Sequence, residues 1–203
     1  MKKRIITVSR EFGSGGRTVG ALVAQKLGIP FYDQELIEKA VEATGFSREF
    51  ISEAGEYAST TSRFLFNMSL SSSYSNIGIP SNYDKIYVAQ NNIIRSLADE
   101  GPCVIVGRCA DYILRDREDC INVFIHANLE FRKKHVLENY GERKEATIEK
   151  RLEEKDKKRS LYYKHYTGKT WGDCRNYHVS IDTGAVGIER AAAWIVEFFN
   201  SEE

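Results

Sequence analysis

The sequence lacks an excess of charge of either sign, a long apolar run and a metal-type cysteine pattern. Its 29 basic and 29 acidic side chains give a formal net charge of zero, so the overall charge favours neither nucleic acid nor an anionic membrane as a partner. The apolar runs are strand-sized, well short of the roughly 18 residues that a membrane span requires. The 4 cysteines form no CxxC pair. These absences predict a cytoplasmic protein with reduced cysteines and with neither polymeric nucleic acid nor a membrane as partner.

Short apolar runs alternate with helical patterns along the chain. The runs are nearly continuous, which is typical of strands that a parallel sheet buries on both faces. The predicted strands are Arg4–Ser9, Ile29–Tyr32, Cys103–Val106, Ile121–Ile125 and His178–Ile181. The predicted helices are Arg17–Leu27, Gln34–Ala43, Tyr83–Glu100, Leu129–Tyr140, Thr147–Tyr163 and Ile188–Phe199. The 203 residues therefore predict one domain of the α/β class, a doubly wound, five-stranded parallel sheet flanked by helices.

Two regions interrupt this alternation. Residues 45–82 form a long connection, of the kind that is usually a lid, a binding loop or a disordered segment. Its aromatic residues predict that its first half is partly helical and docked, and its second half contains the serine-rich segment Ser69–Ser75. These aromatic residues are Phe46, Phe50, Phe64 and Phe66. Residues 146–176 contain a dense run of ions, which we interpret as a solvated helix with i,i+4 charge pairs.

A glycine-dense turn follows the first predicted strand and opens the first helix. It contains Gly13, Ser14, Gly15 and Gly16, and the helix begins with Arg17 and Thr18. Backbone N–H groups converge at a helix N-terminus, and the helix macrodipole favours negative charge there. Glycine lets the backbone approach a phosphate closely. The turn predicts a phosphate-binding site; the alternative is an ordinary strand-to-helix turn followed by a surface arginine.

The turn departs from a full P-loop at two positions. A P-loop has glycine, four further residues, and then Gly-Lys-Ser/Thr, in which the hydroxyl holds Mg²⁺. If Thr18 is that hydroxyl, Arg17 occupies the lysine position and Glu11 occupies the position of the leading glycine. A guanidinium can replace the ammonium as a phosphate ligand, because it offers a planar fork of donors.

Polar residues also follow the other predicted strands. In an open α/β sheet, ligands bind beyond the carboxyl ends of the strands, so these residues are candidate ligands. Asp33 follows the second strand and Arg108 the third, while Asn128 and Asp182 follow the fourth and fifth. Asp33 and Asn128 can instead be helix caps, and Asp182 can belong to an ordinary turn. A function is favoured most for Arg108, which directly follows Gly107 at a rigid strand end.

Several segments resemble the cytidylate kinase-like family, a branch of the P-loop nucleoside monophosphate kinases. The resemblance covers nearly the whole chain and is weakest in residues 45–82. In cytidylate kinases an Asp follows the Gly-Arg pair, whereas here Cys109 does and Asp111 is the nearest carboxylate. The segments that carry the resemblance are Ile6–Arg17, Leu27–Asp33, Val106–Arg108, Asp156–Arg159 and Tyr177–Gly184.

The resemblance implies a single P-loop kinase-like domain over residues 1–203, with an acceptor-side insert at 45–82 and a mobile lid at 146–176. It implies that Gly13, Ser14, Gly15, Gly16 and Arg17 hold the phosphates of ATP, that Thr18 binds Mg²⁺, and that the loop at Asp182 borders the ATP base. It assigns Asp33, Arg108, Asp111 and Arg151 to substrate binding, and it also places Arg151 with Arg159 in the lid. The residues with catalytic roles are Arg17, Arg108 and Arg159.

The expected reaction is ATP-dependent phosphoryl transfer to a nucleoside monophosphate, with CMP or dCMP first. Such transfer depends on positioning and on stabilisation of charge, so it needs no nucleophilic side chain. Two alternatives stay open: a nucleotide-binding regulatory module with weak or no kinase activity, and a small-molecule kinase with another acceptor. The expected partners are nucleotide substrates, and the sequence leaves the oligomeric state open.

Overall fold

The structure, a computed structural model, describes residues 4–54, 82–141 and 146–201. The strands are β1 (Ile5–Arg10), β2 (Phe31–Tyr32), β3 (Cys103–Val106), β4 (Cys120–His126) and β5 (Val179–Asp182). The helices are α1 (Gly16–Leu27), α2 (Glu35–Thr44), α3 (Arg48–Ala54), α4 (Asn82–Glu100), α5 (Ala110–Ile113), α6 (Leu129–Tyr140), α7 (Ile148–Thr167), α8 (Thr183–Val186) and α9 (Ile188–Asn200). Within the described ranges, no helix is both long enough and apolar enough to cross a bilayer.

The strands form one parallel sheet in the order β2-β3-β1-β4-β5, with β1 at its centre. In this register Val8 lies opposite Val106 on one side of β1, and Arg10 lies opposite Ile125 on the other. Because all neighbouring strands are parallel, their carboxyl ends share one edge of the sheet. The predicted doubly wound α/β fold is confirmed, and the polar residues that follow the strands lie along that edge.

The two faces of the sheet bury alternate residues of the same strands. On one face, Ile6 and Val8 pack against α1 and α9. On the other face, Ile5 and Ile105 pack against α4 and α5. Cover on both faces explains why the strands are nearly continuous apolar runs, and the central strand β1 is buried along its whole length.

The second strand is shorter than the predicted range Ile29–Tyr32, and its first two residues were wrongly assigned. Gly28 adopts a left-handed conformation with φ of 64°, and its N–H bonds the last carbonyl groups of α1. The N–H of Ile29 donates to the carbonyl oxygen of Ala24 at 3.1 Å, so this residue completes the helix end. The strand can begin only after this cap, at Phe31.

The first part of the long connection is helical and docked, as predicted. Helix α3 occupies Arg48–Ala54, and Phe46 and Phe50 pack against a buried cluster that joins α2, α3 and α4. The Phe50 ring lies 5.5 Å from the Tyr83 ring, centre to centre. The predictions for Phe64, Phe66 and the Ser69–Ser75 segment lie outside the described residues.

The ion-rich segment forms helix α7, which extends to Thr167, beyond the predicted end at Tyr163. The interpretation of this segment as a solvated helix is wrong for two of its arginines. Only 8% of Arg151 and 4% of Arg159 is exposed. These side chains are buried because α7 packs across the glycine turn after β1, where Leu152 contacts Phe12 and Val136.

Candidate active site

The glycine turn between β1 and α1 is tightly folded. Gly13 and Gly15 have φ of 83° and 76°, which glycine adopts readily and other residues rarely do. The Ser14 hydroxyl donates to the carbonyl oxygens of Glu11 and Ile125 at 2.9 and 3.1 Å, which ties the turn to β4. A Cβ atom on Gly16 would lie 2.4 Å from the Cβ of Arg10. The turn therefore has no room for side chains at these glycines.

The turn presents backbone N–H groups at the start of α1. The first hydrogen bond of the helix joins the N–H of Val19 to the carbonyl oxygen of Gly15 at 2.9 Å. The N–H groups of Gly16, Arg17 and Thr18 precede it, so no helical carbonyl accepts from them. Their donors and the positive end of the helix dipole suit an anion. The residues present thus fit the phosphates of ATP.

A cleft of about 160 Å³ lies over this turn, and its lining is strongly cationic. It is lined by five cationic side chains and a single carboxylate, that of Glu11, as well as by His135 and Tyr140. Burial lowers the pKa of His135, which favours the neutral form of this imidazole. The cations are Arg10, Arg17, Arg151, Lys155 and Arg159. A surplus of positive charge in a small cleft favours a polyanion such as a triphosphate.

Both predicted lid arginines reach this cleft. Arg159 donates from Nη1 to the carbonyl oxygen of Arg10 at 2.8 Å, at the end of β1. Arg151 donates from Nη1 to the carbonyl oxygen of Gly141 at 2.8 Å, and its guanidinium lies 5.6 Å from the centre of the Phe12 ring. Their burial and their hydrogen bonds to backbone carbonyl groups hold both guanidinium groups beside the glycine turn.

A network of ion pairs fastens α7 to the turn. Asp156 accepts from the N–H of Phe12 at 2.7 Å and pairs with Arg132 of α6. Arg132 also donates to the carbonyl oxygen of Phe12 at 2.8 Å and pairs with Glu11 at 3.2 Å. Sequence reasoning missed Arg132, since nothing in its surroundings distinguishes it from a surface arginine of an amphipathic helix.

Sequence reasoning also missed the cleft residues Arg10 and Lys155. A signal for Lys155 was present: it lies four residues after Arg151 and four before Arg159, which places the three cations on one face of α7. Arg10 is the last residue of β1 and directly precedes the turn. Its position directly before the glycine turn could have indicated that it lines the cleft.

Arg17 and Asp33, which were predicted for the donor and for the acceptor, contact each other. The Nε atom of Arg17 lies 2.5 Å from an oxygen of Asp33, while 52% of the arginine side chain remains exposed. Asp33 is therefore not the cap of α2, whose N-terminal residue is preceded by Gln34 without a side-chain bond. The pair joins the start of α1 to the end of β2. Arg17, predicted to bind the ATP phosphates, thus contacts a residue that was predicted to bind the acceptor substrate.

Arg108 is held at the end of β3 by a strained turn. The N–H of Ala110 donates to the carbonyl oxygen of Gly107 at 3.0 Å, and the two central residues, Arg108 and Cys109, have φ of 57° and 55°. This is the backbone of a type I′ turn, which asparagine and glycine normally occupy. Left-handed conformations cost other residues roughly 1–2 kcal/mol each. Strain of this kind concentrates at functional sites, and only 4% of Arg108 is exposed.

Three further predicted site residues lie around this centre. Thr18 is exposed in the first turn of α1 and lines the cleft. Asp182 caps α8 by accepting from the N–H of Gly184 at 2.8 Å, and Asn128 caps α6 in the same way. The neighbour of Asp182, Thr183, was missed: its buried hydroxyl donates to the carbonyl oxygen of Ser14 at 2.6 Å. The loop after β5 therefore braces the phosphate turn.

Asp111 lies apart from the phosphate cleft. It is buried, lines a separate polar cleft with Lys169 and His178, and accepts a 2.6 Å hydrogen bond from the hydroxyl of Tyr163. Burial raises the pKa of Asp111 to about 6, although the bond from Tyr163 opposes this. A carboxyl group so placed is partly protonated just below neutral pH.

Replacement of Asp111 by Asn is expected to remove part of the pH dependence of stability. The pKa of Asp111 rises on folding from 3.8 to about 6, so the folded state holds this proton more tightly. The resulting stabilisation is present at pH 4 and is lost as the pH rises through 6, by up to about 3 kcal/mol. Urea unfolding of both proteins at pH 4, 5, 6 and 7 measures the effect. A stability difference between them that stays constant over this range would contradict it.

The fold and the site together define a kinase of the P-loop type: a parallel sheet whose central strand leads into a glycine-rich phosphate turn. Residues 5–185 match the cytidylate kinase-like family, a range that includes the five strands and the turn. The chain belongs to this family, as its motifs predicted.

Solved structures agree on the fold. An uncharacterized protein from Eubacterium ventriosum ATCC 27560 is 28% identical, with a TM-score of 0.73 over 98% of this chain and 100% of that one. Shikimate kinase from Bacteroides thetaiotaomicron is 14% identical, with a TM-score of 0.58 over 98% and 99%. A gluconokinase from Sinorhizobium meliloti 1021 is 19% identical, with a TM-score of 0.51 over 99% of each chain. No curated protein matches the chain significantly.

Proposed function

We propose that the protein transfers a phosphoryl group from ATP to a nucleoside monophosphate, with CMP or dCMP as the first candidates. The observation that carries this proposal is the convergence of cations on the glycine turn. Arg159 and Arg151 from α7 reach the same small cleft as the N-terminus of α1. Membership of the cytidylate kinase-like family supports a nucleotide as the acceptor.

In this proposal the turn from Gly13 to Gly16 holds the phosphates of ATP with backbone N–H groups, and Arg17 replaces the usual lysine. Thr18 supplies its hydroxyl to Mg²⁺, which neutralises phosphate charge during the transfer. Arg159 and Arg151 stabilise the charge that develops on the transferred group. Their buried position also excludes water, which would otherwise receive the phosphoryl group.

Arg108, with Asp33 and Asp111, binds the acceptor in the proposed reaction. The carboxyl edge of the sheet supports this role for Arg108, because β3 lies directly beside β1 and its phosphate turn. A guanidinium matches phosphate with two parallel hydrogen bonds. Asp182 belongs to the loop that borders the ATP base.

Residues 1–203 act in this proposal as one catalytic domain, with residues 146–176 as its lid. We place the reaction in the cytoplasm, with nucleotides as the partners and with neither polymeric nucleic acid nor a membrane involved. The reduced state of all four cysteines agrees with that compartment: none of them forms a disulfide.

Release of ADP from Mg²⁺-ATP in the presence of CMP, dCMP, UMP, AMP or GMP tests the proposed function. The expected result is release that depends on both CMP and Mg²⁺, at a rate in the ordinary kinase range of roughly 1–100 per second. A melting temperature that ATP raises, without turnover of any acceptor, would favour the regulatory alternative instead. Turnover of shikimate or gluconate but of no nucleotide would identify a small-molecule kinase.

A further inference from the structure

A buried glutamine on α4 has a hydrogen-bond donor with no acceptor among the described residues. Only 1% of Gln90 is exposed, and its Oε1 atom accepts from the hydroxyl of Tyr162 at 3.1 Å. Its Nε2 atom is also buried, yet no atom in the described part of the chain accepts from it. Buried polar groups in native proteins nearly always have partners, so an unused donor requires an explanation.

The hydrogen-bond partner of Gln90 connects this glutamine to elements of both predicted substrate sites. Its partner Tyr162 is on α7, three residues after Arg159, a rise of about 4.5 Å along the helix. Tyr162 packs in a buried cluster with Cys109, the residue that directly follows Arg108. Through its bond with Tyr162, Gln90 is joined to the helix that carries Arg159 and to the cluster that adjoins Arg108.

Aromatic rings surround this position. One turn before Gln90 on α4, the Tyr87 ring stacks on the Tyr166 ring of α7 at 4.0 Å and within 4° of parallel. Tyr162 packs edge-on to Tyr166 at 4.8 Å. Aromatic surroundings beside an amide donor suit a planar heterocycle with a hydrogen-bond acceptor. They suit a sugar or a sugar acid less well.

We propose that Gln90 determines acceptor specificity: its Nε2 atom donates a hydrogen bond to a ring carbonyl oxygen of a pyrimidine nucleotide whose phosphate binds Arg108. This inference rests on the proposed function and adds the residue that reads the base. Tyr162 is a positioning residue in this arrangement, since its hydroxyl occupies the Oε1 atom and so directs the amide's donors toward the acceptor. Loss of one such hydrogen bond lowers the affinity for the acceptor about tenfold.

The competing explanation is a purely structural role, in which Gln90 serves only to accept from Tyr162. Two variants separate the roles. Gln90→Met removes the donor and leaves the Tyr162 hydroxyl buried without its acceptor, so it can lower stability on its own. The double variant Gln90→Met with Tyr162→Phe removes both polar groups and is expected to recover that stability. Asn92→Met, an exposed amide on the same helix, is the matched control.

The experiment measures ADP release by each variant with CMP, UMP, AMP and GMP, together with the melting temperature with and without ATP. We expect Gln90→Met and the double variant to raise the KM for CMP about tenfold and to reduce the preference for CMP over AMP. The KM for ATP and the ATP-induced shift should stay as in the wild type, and Asn92→Met should behave as wild type throughout.

Two results would overturn the inference alone: an unchanged KM for CMP in Gln90→Met, or a double variant that recovers the wild-type KM together with its stability. In both cases the wild type still turns over CMP, so the proposed function stands. If the wild type neither turns over nor is thermally shifted by any of the nucleoside monophosphates, the proposed function fails and this inference fails with it.

Discussion

Replacing Gly16 with alanine is expected to abolish the rise in melting temperature that ATP produces and to leave no measurable phosphoryl transfer. The added Cβ atom would lie 2.4 Å from the Cβ of Arg10 and 3.1 Å from the Cβ of Ile125. Both neighbours are in central strands of the sheet, so neither can move away cheaply. The first turn of α1 must shift instead, and its N–H groups then leave the positions in which we propose that they hold phosphate.

The same substitution is also expected to lower the free energy of unfolding by about 1–3 kcal/mol, as overpacking usually does. Gly16 lies in a helix and needs no left-handed conformation, so the effect is purely steric. The matched control is Gly101→Ala, because a Cβ atom there has no neighbour within 4 Å. Thermal melts of the three proteins with and without Mg²⁺-ATP provide the measurement. A Gly16→Ala protein that ATP stabilises as well as it does the wild type would show that the phosphates bind elsewhere.

Replacing Arg108 with lysine is expected to lower kcat/KM for the acceptor by about 10²–10³-fold while ATP binding persists. Lysine keeps the positive charge but cannot form the two parallel hydrogen bonds of a guanidinium. The acceptor is then held less accurately, and a small misplacement of the reacting group greatly slows the transfer. The strain of the turn does not change, because both side chains meet the same penalty at a φ of 57°. The substitution therefore tests the guanidinium and not the backbone.

Steady-state kinetics with CMP and an ATP thermal shift distinguish this effect from general damage. Arg95→Lys is the control, since Arg95 is exposed on α4 and its Nε atom donates to Asn91 of the same helix. Unaltered kinetics in Arg108→Lys would mean that the strained turn positions some other group. A lost ATP shift would mean that Arg108 contributes to the donor side.

The relation between Arg17 and Asp33 shows where sequence reasoning reached its limit. The motif marked both residues as site residues, since each follows a strand of a parallel sheet. It could not show that they form an ion pair at 2.5 Å, because they lie on different strand-to-helix connections. Pairing across such a distance in the chain depends on how α1 and β2 pack together.

The three cations of α7 show the same limit in another form. Their spacing placed them on one helix face, but the composition of the segment favoured a solvated helix. Packing decided otherwise: Asp156 bonds the backbone of the phosphate turn, and this contact turns Arg151 and Arg159 into the cleft. Local charge density does not reveal which element a helix face will meet.

The sequence by itself determined the parallel α/β sheet and the glycine turn between β1 and α1. Both follow from local rules: continuous apolar runs mark strands buried on two faces, and glycines ahead of a helix mark a backbone that approaches an anion. Only the tertiary structure decided which cations share the cleft, that Arg17 pairs with Asp33, and that no described residue accepts from the buried Nε2 atom of Gln90. These features depend on contacts between residues distant in the chain, and such contacts exist only once the helices have packed on the sheet.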